Sequence, residues 1–194
     1  MANQTHLGSL TVICGPMFAG KTEEIIRRVI RFEIARKQAQ IFKPEIDDRY
    51  NAVMVNSHSG RSKMAFVVSS AERILGVIAL DTAVVVIDEA QFFDRAIVNV
   101  CRSLANRGLK VIAAGLDLDF RGEPFGPMPF LLAEAENVVK LSAVCMSCGG
   151  EAHFTQRLFD GRPVPYKSEQ ILVGGQDFYE PRCRECHEVP GRPD

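Results

Sequence analysis

Residues Gly15-Pro16-Met17-Phe18-Ala19-Gly20-Lys21-Thr22 constrain this chain more than any other stretch. They spell G-x-x-x-x-G-K-[ST], directly after the apolar run Leu10-Thr11-Val12-Ile13-Cys14 and directly before a helical pattern. A strand, a glycine turn and a helix in that order make a phosphate-binding loop. Gly15 and Gly20 allow the tight turn that aims backbone N–H groups at phosphate oxygens. The helix expected from Lys21 onward adds the positive end of its dipole to the same anion site. Lys21 is expected to reach the β- and γ-phosphates, and the Thr22 hydroxyl to ligate Mg²⁺. Gly15 through Thr22, with Pro16, Met17, Phe18 and Ala19 inside the loop, is therefore the expected site for a nucleoside triphosphate and its Mg²⁺.

A second apolar run, Ala83-Val84-Val85-Val86-Ile87, reads as a strand buried on both faces and ends in Asp88-Glu89. A carboxylate at such a strand end completes a phosphate-loop site by standing beside the Mg²⁺. Glu89 follows at the edge of the same cavity, where a carboxylate can accept a proton from an attacking hydroxyl or from water.

Strand and helix signals alternate through the first three-quarters of the chain. The strand Ala39–Lys43 is expected to stop at Pro44, and a looser region runs from Glu45 to Lys63. Ala65–Val68 reads as a strand, Ala71–Val77 as a helix, Ala96–Arg107 as a helix closed by Gly108, and Lys110–Gly115 as a buried strand. Val138–Ala143 reads as the last strand. This order implies an α/β fold: a P-loop NTPase-like parallel sheet flanked by helices, with ligands gathering at the strands' C-terminal ends. Residues 1–143 are expected to form that unit and 144–194 a second, small domain, its Pro/Gly-rich tail from Val189 frayed.

The chain has 194 residues, 46% of them hydrophobic and 24% charged, with a formal net charge of −1. A core of ordinary size is available, and no global basic field points to nucleic acid. Basic residues crowd one helix from Arg27 to Lys37, but interleaved Ile25, Ile26, Val29, Ile30 and Ile34 make it amphipathic, a solvated or interface helix. The first residues have neither a basic nor an apolar leader region, and no apolar stretch approaches membrane-spanning length. A cytoplasmic protein without membrane partners is the expectation.

Composition changes after Val144. Cys145-Met146-Ser147-Cys148 and Cys183-Arg184-Glu185-Cys186 are two C-x-x-C pairs, holding four of the six cysteines. Each pair can place two thiolates on one ion, and together they make a closed, structural Zn²⁺ site. His187 is open as an alternative ligand to one cysteine. Cys14 and Cys101 fall in apolar segments and read as core. The intervening residues, 149–182, read as a loop pinned at both ends and built to fold over something.

The phosphate loop, Asp88-Glu89-Ala90-Gln91-Phe92, Gly115-Leu116-Asp117-Leu118-Asp119-Phe120-Arg121 with Pro124-Phe125-Gly126, and the paired cysteines together resemble the cytosolic, zinc-containing (type II) thymidine kinases, from about Leu10 to His187. The resemblance implies ATP-dependent phosphorylation of the thymidine 5′-hydroxyl to dTMP in nucleotide salvage. It also implies a homotetramer and feedback inhibition by dTTP. Glu89 would be the general base, with Asp88 at Mg²⁺ and Gln91 grouped with the ATP/Mg²⁺ residues. Leu172, Val173 and Gly174 would recognise the base through their main chain, with Tyr179 close to sugar and base. Met17, Phe92 and Phe120 match apolar pocket residues, and Asp47 and Arg49 match charged residues near the phosphates. Phe93, Phe125 and Phe130 are read as core. Ala19 stands where relatives often carry Ser.

Three other readings compete with this one. A nucleic-acid-dependent ATPase shares the Asp88-Glu89-Ala90-Gln91 box, but helicases of that kind need two α/β domains, and the balanced charge offers no groove for a phosphate backbone. A GTPase-like switch needs an N-K-x-D motif, which the sequence lacks. A kinase for another deoxynucleoside is compatible with every motif.

Overall fold

The computed structural model describes residues 8–45, 54–56, 62–171 and 179–193, with backbone alone for 54–56. Asp47, Arg49, Leu172, Val173 and Gly174 therefore lie outside the described residues.

Six strands form one parallel sheet. They are β1 (Ser9–Cys14), β2 (Gln38–Pro44), β5 (Phe66–Val68), β6 (Thr82–Ile87), β7 (Lys110–Gly115) and β8 (Asn137–Lys140), in the order β5-β2-β6-β7-β1-β8. Between β2 and β5, β3 (Met54–Asn56) and β4 (Ser62–Met64) pair antiparallel as a separate ribbon. The central strands are apolar on both faces: Val84, Val85, Val86 and Ile87 are all fully buried, as a sheet covered on two sides requires. Alternation along each strand sorts the core into two layers. Ile13, Val84, Val86, Ile112 and Ala114 pack with Ile25 and Val29 of helix α1 (Lys21–Ile34). Val12, Val85, Ile87 and Ala113 pack on the other face against α2 (Ala71–Val77), α3 (Ala96–Asn106) and α4 (Met128–Glu134). Ile97 and Leu104 of α3 are wholly enclosed there, so truncating either to Ala would cost about 2–5 kcal/mol.

Several local expectations need correction. Pro44 is the last residue of β2 rather than its stop, pairing at the strand's C-terminal end with Val68; a proline is tolerated at a strand end. Val138–Ala143 is not one strand, and it is not the last. The sheet strand ends at Lys140, the Leu141 N–H closes onto the Cys14 carbonyl at 2.8 Å, and Ala143–Val144 (β9) pairs instead with Glu151–Ala152 (β10). Phe154–Phe159 (β11) follows, flanked by Arg162–Pro163 (β12) and Tyr179–Arg182 (β13). Helix α4 has no counterpart among the expected elements, because Pro124, Pro127 and Pro129 read as breakers. Pro129 sits in its first turn, where no intrahelical N–H is needed. Phe130 is 40% exposed beneath the Arg95 guanidinium, 3.7 Å from the ring centroid, and is not core. Ile34, at the end of α1, is also exposed.

Candidate active site and metal centre

The order of the sheet places the ends of β1, β7 and β6 side by side, so the phosphate loop and Asp88 emerge with only β7 between them. Gly15 leaves β1 with φ 142°, and a Cβ there would stand 2.4 Å from the Leu141 carbonyl oxygen; no side chain passes. The loop closes at Gly20, which caps α1 from the left-handed region. The Lys21 ammonium folds back to donate to the carbonyls of Gly15 (3.1 Å) and Pro16 (2.6 Å). Burial holds its pKa below the usual lysine value, against the opposing charges of Glu89, Asp88 and Asp117. Three carboxylates thus act on one partly buried cation, a charge balance suited to a phosphate chain with its divalent ion. Asp117 also accepts from Lys140 Nζ at 2.8 Å, which raises the Lys140 pKa. Beneath the loop, burial and then Asp117 push the Cys14 thiol up to about 11. It is neutral core, as its apolar context implied.

Asp88 leaves β6 with its N–H bonded to the Phe42 carbonyl (2.9 Å) and one carboxylate oxygen accepting the Glu89 N–H (3.0 Å). Glu89 has φ 52°, ψ 42°. A non-glycine residue held in this region costs of order 1–3 kcal/mol, and here it swings the carboxylate off the strand direction. Gln91 fixes the result: its Nε2 donates to Glu89 Oε2 (2.5 Å) and its Oε1 accepts from the Leu116 N–H (3.0 Å). The amide passes so close to β7 that a Cβ on Gly115 would sit 2.4 Å from Gln91 Oε1. Gln91, expected with the ATP and Mg²⁺ group, has both ends of its amide turned to Glu89 and Leu116.

A narrow cleft is lined by Met17, Phe92, Leu116, Asp119, Phe120, Phe125, Thr155, Gln170, Ile171 and Tyr179. Met17 belongs to the phosphate loop, and its N–H donates to Thr155 Oγ1 of β11 at 3.0 Å. Phe92 and Phe125 meet edge to face, centroids 5.7 Å apart. The expected Met17, Phe92, Phe120 and Tyr179 all come together here. Phe125, read as core, is buried but faces the cleft; Leu116, Asp119, Thr155, Gln170 and Ile171 join it without any expectation from sequence. Phe154-Thr155-Gln156-Arg157-Leu158-Phe159 has no strict alternation, so the sequence carried no period-two signal for β11, and hence none for Thr155.

At the far end, the sulfurs of Cys145, Cys148, Cys183 and Cys186 lie within 4.8 Å of one another. Tetrahedral Zn–S bonds of about 2.3 Å would put sulfurs about 3.8 Å apart; those of Cys148 and Cys183 are separated by 3.7 Å. Both pairs sit in tight turns, with the Gly149 N–H on the Cys145 carbonyl (2.9 Å) and the His187 N–H on the Cys183 carbonyl (3.0 Å). Burial raises the Cys145 thiol pKa, but backbone N–H groups of Cys183, Cys148 and Ser147 outweigh it and bring the value to about 6. The donor set and its spacing fit a metal held by four thiolates. His187 is turned elsewhere: its Nε2 lies 2.9 Å from the Phe120 carbonyl oxygen and its ring stacks on Phe154.

A family model described as "Thymidine kinase" matches residues 8–187. The chain belongs to the thymidine kinase family. It is accordingly an enzyme of nucleoside phosphorylation, and the four-cysteine cluster is a candidate structural metal centre within a thymidine kinase fold. Among solved structures, the chain matches the Pif1 helicase from Candida albicans at 15% identity and a TM-score of 0.38, over 73% of this chain and 39% of that one. The chain thus spans well under half of the helicase chain. Among the described residues, no helix is long and apolar enough to cross a membrane.

Proposed function

We propose that this thymidine kinase family member transfers the γ-phosphoryl group of ATP to the 5′-hydroxyl of thymidine, giving dTMP and ADP for nucleotide salvage. One observation carries the reading: Met17 lines the apolar cleft from within the phosphate loop, so phosphate and nucleoside sites share one wall, and the Glu89 carboxylate acts on the Lys21 ammonium of the same loop. Glu89 takes the proton of the 5′-hydroxyl as its oxygen attacks the γ-phosphorus and the bond to the β–γ bridging oxygen breaks. Gln91 orients Glu89 rather than touching ATP. Lys21 exchanges its two carbonyl partners for phosphate oxygens, and the loop N–H groups stabilise charge as it develops. Thr22 and Asp88 would hold Mg²⁺, which supplies charge neutralisation across the β- and γ-phosphates. Phe92, Phe120 and Tyr179 enclose the nucleoside, and the family resemblance assigns base recognition to the main chain of Leu172, Val173 and Gly174.

The metal of the cysteine cluster is Zn²⁺ in this reading, closed to chemistry by its four thiolates. It anchors a lasso unit, 144–194, on a kinase unit, 1–143. A cytoplasmic homotetramer inhibited by dTTP completes the proposal. The test is ATP consumption with thymidine, deoxyuridine, deoxycytidine and single-stranded DNA in parallel. Thymidine should dominate; stimulation by DNA with none by nucleosides would overturn the reading.

A further inference from the structure

Asp119 is 1% exposed, in the loop that follows β7. A buried carboxylate is costly unless its oxygens are matched, and these two serve different segments of chain. Oδ1 accepts the N–H groups of Arg121 (2.8 Å) and Glu123 (3.1 Å), shaping its own turn. Oδ2 accepts from Gln170 Nε2 at 2.9 Å, with Arg121 Nη1 at 3.6 Å. The strap carrying Gln170 is held from the same loop along its length. Arg121 donates to the carbonyls of Tyr166 (2.8 Å) and Ser168 (2.6 Å), and the Tyr166 hydroxyl to Glu123 Oε1 (2.7 Å). From β11, Arg157 Nη1 donates to the Glu169 carbonyl at 2.6 Å. The Arg121 and Arg157 guanidiniums also lie 5.0 and 5.4 Å from the centre of the Phe120 ring. Asp119 and Phe120 line one side of the cleft, Gln170 and Ile171 the other.

We propose that Asp119 is a positioning residue for the nucleoside: through Gln170 it sets the register of the 166–171 strap against the β7 loop, and so fixes the two cleft walls relative to each other. The proposal rests on the reading that this cleft takes the nucleoside. It separates the two oxygens of one side chain by function. A carboxylate at 170 meets the Asp119 carboxylate acceptor to acceptor, whereas a carboxamide at 119 still offers one acceptor for the turn and keeps a bond to Gln170 by turning that amide over, losing only the charge.

The experiment is a reciprocal exchange, comparing D119N, Q170E and D119N/Q170E with the wild type. Q170E should raise the thymidine KM about tenfold, the scale of one charge-assisted hydrogen bond, and D119N should raise it less, while the ATP KM moves far less. In the double variant the amide now carried at position 119 donates to the carboxylate now carried at position 170, and the KM should return to within about threefold of wild type. Trypsin cleavage after Lys167 should quicken most in Q170E and slow again in the double; this readout needs no substrate. Gln170 is exposed, so Q170E keeps the test alive if D119N proves insoluble. A double variant as poor as Q170E, or a Q170E enzyme matching wild type in KM and cleavage, overturns the proposal. Cleavage rates following the reciprocal pattern in a protein that takes no thymidine would keep the strap register and reject the nucleoside reading instead.

Discussion

The phosphate loop is closed by bonds from Lys21 within its own eight residues and reaches out by one bond, from Met17 to Thr155, whereas the opposite wall of the cleft is assembled by side chains 47 and 51 positions apart, Arg121 on Ser168 and Asp119 on Gln170. The first region leans on a sheet whose central strands are fully buried. The second is a set of short strands and straps whose two ends meet at four cysteines. A ligand's charged end therefore meets preformed backbone, and its apolar end meets a wall whose order is imported from elsewhere. Damage to the first region should remove chemistry and leave folding intact; damage to the second should act on binding and order together.

Glu89→Gln gives the largest expected effect. A base in hydrogen-bond reach contributes roughly 10²–10⁴ in rate, so kcat should fall by that order while the thymidine KM stays within a few fold. Near-normal turnover by the folded variant would take Glu89 out of the role. Lys21→Met comes next. Loss of one preorganised charge at the transferring phosphate costs on the order of 10²–10³ in kcat, and the variant should keep its unfolding midpoint and its metal. Retained activity would break the phosphate side of the comparison.

The contrast sharpens at the cysteines. Cys183→Ser, or stripping the metal with a chelator, should raise the thymidine KM roughly tenfold or more and lower the unfolding midpoint, since metal binding is part of the folding free energy. Metal analysis of the native protein should find about one zinc per chain. Loss of zinc with an unchanged thymidine KM would show that the lasso wall stands without its anchor. A His187→Ala protein should keep its zinc, because that ring is engaged at the Phe120 carbonyl.

What could be read in advance divides along the same line. Loop, helix start and acidic strand end are local patterns, since the phosphate chemistry itself demands particular residues at fixed spacing. The buried strands announced themselves by unbroken apolar runs. The cysteine pairs were legible because metal geometry fixes ligand spacing within each turn. Nothing comparable marked the contacts of Asp119, Arg121, Arg157 or Gln170: Asp119 and Arg121 stand in a motif that carries the resemblance, but the segment each side chain meets is chosen only by the folded path of the chain. Thr155 failed to stand out for the same reason, being one hydroxyl in a short strand. Phe130 shows the limit for apolar residues. It lies under Arg95 at the surface, although it looks like core in sequence, whereas Phe125 is buried as read.

Tyr166→Phe probes the long-range wall more gently. It removes one hydroxyl that donates to Glu123 at 2.7 Å and leaves the ring, so the unfolding midpoint should fall slightly. Urea unfolding would measure it. An unchanged midpoint would mean that the carbonyl contacts of Arg121 alone hold that part of the strap.

The smallest effect belongs to the phosphate side, where charge pairs are local. Glu24 lies in the first turn of α1, bonded by Arg27 Nε at 2.7 Å and Arg28 Nε at 2.6 Å. The Arg27 bond above all, with Arg28 assisting, lowers the Glu24 pKa from 4.5 to about 2. A carboxyl held below its unfolded value stabilises the fold above that value, and the contribution fades as pH falls from 4.5 through 2. The pair faces water, so its worth is no more than about 1 kcal/mol. Glu24→Gln should therefore unfold slightly earlier than wild type at about pH 7, by the same margin at about pH 5.5, and by a smaller one at about pH 3.5. Raising the salt concentration at neutral pH should shrink the margin as well. A margin that grows on acidification would mean that Glu24 is stabilised by something other than its arginines, and that the phosphate side is not as locally built as the comparison holds.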